Sequence, residues 1–70
     1  MLNIVFHCQP SLLETIQSLG YNYEEHVQEI DVTLPYTKEV ERINNQYIDE
    51  AEFSNHYGLD YSQINCIELI

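Results

Sequence analysis

Positive charge is almost missing from this chain. Its 70 residues include 12 Asp and Glu but only two Lys and Arg, a formal net charge of −10, and residues 1–37 hold neither Lys nor Arg. That deficit excludes direct nucleic-acid binding, because affinity for DNA or RNA comes from neutralising phosphates with basic side chains. Docking on anionic membrane headgroups is excluded for the same reason. Trp is absent, and Gly, Pro and Cys number two each. Two cysteines make no disulfide framework, and Cys8 and Cys66 are expected to be small buried hydrophobes in a reducing cytosol. The opening MLNIVFHCQP has no basic flank, is interrupted by Asn3 and is closed by His7 and Pro10. Neither a signal peptide nor a membrane span is expected, and the protein reads as cytoplasmic.

What is present argues for a folded chain. A hydrophobic fraction of 44% and an aromatic fraction of 11% exceed those of disordered acidic tails, which cannot bury enough apolar surface to offset chain entropy. Seventy residues fit one compact acidic domain, residues 1–70, which buries only about 60% of the surface its unfolded chain exposes. Its one-signed charge adds self-repulsion that a binding partner or a dimer mate would relieve.

Hydrophobic periodicity gives the elements. Leu2, Ile4, Phe6 and Cys8 alternate with Asn3, Val5, His7 and Gln9 as in a strand, and Pro10 stops it. Ser11 with Glu14 three residues on predicts a capping box for a helix carrying Leu12, Leu13, Ile16 and Leu19, ended by Gly20. From His26 onward, Ile30, Val32 and Leu34 alternate with Glu29, Asp31 and Thr33 in a second strand with one acidic face, closed by Pro35. Thr37 is positioned to cap a second helix through Val40, Ile43 and Tyr47, and Asp49 a third that Gly58 ends. Residues 64–70, INCIELI, are apolar on both sides of the alternation and predict a strand buried on two faces. The sum is an α+β fold in the order β-α-β-α-α-β, a three-stranded sheet with short helices packed on it.

No motif for chemistry stands out. His7, Cys8, His26, His56 and Cys66 include no ligand pair two to four residues apart, the usual announcement of zinc. His7 and Cys8 are adjacent and would point to opposite faces of a strand. A nucleophilic thiol needs an electropositive setting, and this chain offers the reverse. Neither a catalytic site, a metal site nor a cofactor is expected, and the protein reads as a non-enzyme. The stretch GLDYSQINCIEL is similar to the Asp-Ser-Leu attachment site of acyl carrier proteins, but Tyr61 separates Asp60 from Ser62 and the strand patterns at both termini oppose an all-helical carrier.

The acids themselves are the remaining signal. Carboxylates on a rigid surface can stand where phosphates stand and occupy a basic groove. A merely soluble surface mixes both signs, so one sign throughout suggests a field with a use. Candidate partner-binding residues form two groups, Glu24, Glu25, Glu29 and Asp31 with the flanking Tyr21 and Tyr23, and Asp49, Glu50 and Glu52. Tyrosine supplies contact area at low entropic cost. In composition the chain resembles the small acidic DNA mimics of bacteriophages and mobile elements, which act on restriction enzymes, CRISPR effectors, repair glycosylases or nucleoid proteins. That resemblance implies an inhibitor of a basic nucleic-acid-binding protein, working in the host-cell cytoplasm if phage-encoded, and it carries over no residue. The second expectation is a homodimeric structural or regulatory module that pairs through the C-terminal strand.

Overall fold

The computed structural model describes residues 2–44 and 49–70. Strand β1 (Asn3–Cys8) lies inside a four-stranded sheet of order β2-β3-β1-β4, with β2 spanning Tyr23–Glu25, β3 Ile30–Pro35 and β4 Ile64–Leu69. Every pairing is antiparallel. Three helices, α1 (Leu13–Leu19), α2 (Lys38–Asn44) and α3 (Glu50–Tyr57), complete the α+β fold.

One face of the sheet is the core face. Ile4, Phe6 and Cys8 of β1 pair with Leu34, Val32 and Ile30 of β3, and Phe6 pairs with Ile67 of β4. Against them pack Leu12, Ile16, Val40, Phe53, Tyr57 and Leu59, so the helices share that one side. Phe6, Phe53 and Tyr57 form an aromatic triangle with centroids 4.7–5.2 Å apart. Its edge-to-face pairs contribute about 0.5–1.5 kcal/mol each beyond burial. The margin of this core is tyrosine: Tyr21, Tyr23, Tyr36 and Tyr61 are half-buried against it.

Local chemistry explains most boundaries. Gly20 and Gly58 take φ of +75° and +73°, the left-handed conformation that ends α1 and α3. Val40 N donates to Thr37 Oγ1 at 3.3 Å. Asp49 accepts from the backbone N–H groups of Ala51 and Glu52, and Asp60 likewise from Ser62, opening a 3-10 turn over Tyr61–Gln63.

Four expectations need correction. The sheet has four strands: Tyr23–Glu25 is a short strand hydrogen-bonded to β3, and His26–Glu29 form the hairpin loop rather than the start of a strand. Ser11 caps nothing, because Pro10 draws residues 10–12 into a 3-10 turn and places Ser11 inside it, so α1 starts at Leu13 without a side-chain cap. β4 is an edge strand, not a doubly buried one; Ile64 and Ile67 are half-buried, and Asn65, Cys66, Glu68 and Leu69 are exposed. Cys8 is buried as expected, but Cys66 is exposed. The expected place of Tyr47 in the second helix lies outside the described residues.

The two-sided apolar pattern of β4 has a geometric cause. His7 pairs with Cys66 but Cys8 with Ile64, so Asn65 is an extra residue in β4, a bulge. Across a bulge the side-chain parity reverses. Ile64, Ile67 and Leu69 therefore share the core side, while Cys66 and Glu68 share the other with His7.

Candidate functional site: the open face of the sheet

Beside the buried Val5, the face of the sheet away from the helices carries polar side chains in register. Alternation along β1 turns His7 out of the core, and its direct neighbours are Asp31 on β3 and Cys66 on β4. Glu24 stands opposite Asp31 on β2, and Glu68 is two residues from Cys66 on the same side of β4. Glu29 adds a carboxylate from the hairpin loop, its Oε2 3.8 Å from His7 Nδ1. With His26 from the same loop, four acids and two histidines from the four strands and the β2–β3 loop thus converge.

Their contacts form a continuous row. His7 Nδ1 lies 2.8 Å from Asp31 Oδ1, and the other oxygen of Asp31 lies 2.9 Å from His26 Nε2. His26 Nε2 is also 3.9 Å from Glu24 Oε2. At the opposite end, His7 Nε2 is 3.2 Å from Glu68 Oε2. That contact is an ion-pair distance and not a hydrogen bond. Partial burial disfavours charge on His7, but its polar contacts with Glu68 and Asp31 outweigh burial and hold the imidazole pKa above its ordinary value. The Cys66 thiol is pushed up by local desolvation and by the charges of Glu68, Glu29 and Asp31, which keep it protonated and a poor nucleophile.

The two acidic groups have different surroundings. Glu24 is 82% exposed, and Glu29 and Asp31 are partly exposed on or beside the open face. Glu25 is exposed too, but alternation puts it on the helix side of β2, opposite Ile30. Asp49, Glu50 and Glu52 lie in the helical layer: Asp49 caps α3, and Glu52 receives Arg42 Nη2 at 2.6 Å, which also reaches Glu39 at 3.1 Å. Both cations of the chain, Lys38 and Arg42, sit on α2, which packs Val40 into the core from the helix side. Tyr21 is half-buried and donates its hydroxyl hydrogen to the Tyr57 carbonyl at 2.6 Å, and Tyr23 accepts from Gln17 Nε2 at 3.0 Å.

Sequence reasoning missed His7, His26, Cys66 and Glu68 as members of one cluster. Local spacing cannot reveal it, since cross-strand pairing joins residues 24 to 59 positions apart. The available signal was His7 alternating with an apolar row.

The fold and this face define a small α+β protein whose sheet, among the described residues, is covered by helices on one side. No protein-family model, curated protein or solved structure matches the chain.

Proposed function

We propose that this protein is a non-enzymatic acidic inhibitor that lays the open face of its sheet on the basic nucleic-acid-binding surface of a DNA-processing or host-defence protein, such as a CRISPR effector or restriction enzyme. It would act there as a phage or mobile-element DNA mimic. One observation carries the reading: Glu24, Glu29, Asp31 and Glu68 stand together on the sheet face that no helix among the described residues covers, while Lys38 and Arg42 both belong to the helical layer. A rigid sheet holds these charges without ordering cost at binding, and an uncovered face of one sign steers a basic partner. Val27, 98% exposed at the hairpin tip beside this face, supplies an apolar contact of the kind that anchors charged interfaces.

The test is inhibition of DNA cleavage by a panel of restriction endonucleases and CRISPR effectors. Inhibition should be relieved by added salt and by excess duplex DNA. It should fall in Glu24→Gln/Glu29→Gln/Glu68→Gln and persist in Glu50→Gln. An inhibitor that works equally well after the triple change sinks the reading.

A second reading keeps its own observation. β4 is an edge strand, its outer side has no strand partner among the described residues, and Leu69 and Ile70 are 53% and 61% exposed. Such an edge invites pairing with a second copy. A dimer of that kind would withstand salt that disrupts charge-driven binding, which sedimentation at two ionic strengths distinguishes.

A further inference from the structure

We infer that His7 Nε2, Cys66 Sγ and a Glu68 carboxylate oxygen form a zinc site, with Asp31 as the carboxylate that orients the histidine and one coordination position left open. The inference does not depend on the proposed inhibitor role.

The register builds the site. His7 and Cys66 are a direct cross-strand pair, Glu68 follows Cys66 by two residues on the same face, and the bulge at Asn65 keeps Cys66 opposite His7 while returning Ile64 to the core. One ligand atom of each of the three residues lies within 4.8 Å of the others. Zinc bonds of about 2.0–2.3 Å in a tetrahedron put ligand atoms about 3.3–3.8 Å apart, so modest side-chain rotation closes the set. The 3.2 Å between His7 Nε2 and Glu68 Oε2 is already at that spacing.

The tautomer supplies the independent argument. Asp31 is acceptor-only when ionised, so His7 Nδ1, 2.8 Å away, carries the hydrogen and donates it. Zinc takes the imidazole in its neutral form, displacing any proton from Nε2, which faces the Glu68 carboxylate at 3.2 Å. Nε2 is buried and makes no hydrogen bond. An ion on the Nε2 axis can take Glu68 as a second ligand at the spacing that tetrahedral coordination requires. The carboxylate-histidine arrangement is the usual support of a zinc-bound imidazole, and Asp31 is itself held by His26 Nε2 at 2.9 Å. A thiolate, an imidazole and a carboxylate are ligands that suit zinc above magnesium or calcium.

Cobalt(II) and zinc titrations of the full chain, read by the visible thiolate-to-cobalt absorption and by calorimetry, test the site. One ion per chain is expected, with zinc displacing cobalt and a tenfold excess of calcium leaving it bound. Cys66→Ser should lose the thiolate absorption. Asp31→Asn, which keeps the size of the side chain, should weaken zinc binding about 10–100-fold. Both changes fall outside the core, and circular dichroism verifies the fold. Zinc should also protect Cys66, and not merely slow both thiols, from iodoacetamide in the unmodified chain, a readout that needs no variant. Thiolate absorption surviving in Cys66→Ser, displacement of the ion by calcium, or an absence of zinc protection would overturn the assignment.

Discussion

The two faces of one sheet are built by different physics. On the helix side, Ile4, Phe6 and Val32 are fully buried and their contacts are dispersion and edge-to-face aromatic packing. On the open side, His7, Asp31, Cys66 and Glu68 occupy the intervening positions of the same strands, held by directed polar contacts and partly open to water. A one-residue step along β1 separates the two environments. Most of the apolar core therefore lies on one face, with Val5 the buried residue of β1 on the other, and the capacity to bind charged groups lies on the open face.

The sharpest way to break this division is Phe53→Ala. Phe53 is fully buried and touches Phe6, Tyr57 and Tyr61, so the change should cost about 3–5 kcal/mol, enough to unfold much of a chain this small. Urea denaturation followed by circular dichroism measures it.

Alkaline pH probes the same face next. Burial, and then the charges of Asp31 and Glu29, push the Cys8 thiol from 9.0 up to about 11. The unfolded chain thus releases this proton first. Cys8 itself contributes no pH dependence below pH 9, and its contribution should make stability fall as pH rises from 9 to about 11, by roughly 2–3 kcal/mol for a two-unit shift. The difference in urea midpoint between pH 8 and pH 10.5 should shrink in Cys8→Ala. An unchanged difference would mean that other groups carry the alkaline loss.

Asp49→Ala should cost about 1 kcal/mol, because Asp49 satisfies two N–H groups at the start of α3. Its inhibitory titre against a susceptible nuclease should stay unchanged, separating the helical-layer acids from those of the open face. Smallest of all in stability, Glu24→Gln should stay within about 0.5 kcal/mol of the parent at an exposed position. It should nevertheless reduce partner binding in low salt, so the two assays would move in opposite order on the two faces.

Much of this fold was legible because it rests on short-range rules. The alternation of Ile4, Phe6 and Cys8, the stop at Pro10, the left-handed glycines 20 and 58, and the caps Thr37 and Asp49 each depend on a few neighbouring residues. The misses were of another kind. Tyr23-Glu24-Glu25 is too short for periodicity and too acidic for strand propensity, and only pairing with β3 makes it a strand. INCIELI looked two-sided because the Asn65 bulge reverses parity within it, a feature that exists only relative to β1. Of the candidate site, the acids of the β2–β3 hairpin were legible as a charge run. Cys66, read as buried, and His7, read as half of an unremarkable strand, were not.

Composition and local hydrogen bonding, which need no distant partner, were enough to specify an acidic α+β chain with N-caps at Thr37 and Asp49 and an apolar row in each long strand. Only the tertiary structure decided that all helices share one side of the sheet, that Glu24, Glu29, Asp31 and Glu68 share the other, and that His7 meets Cys66. Those outcomes follow from strand register, which is fixed by burying Phe6, Val32 and Ile67 together; a slip of one residue would carry every polar side chain of the open face into the core.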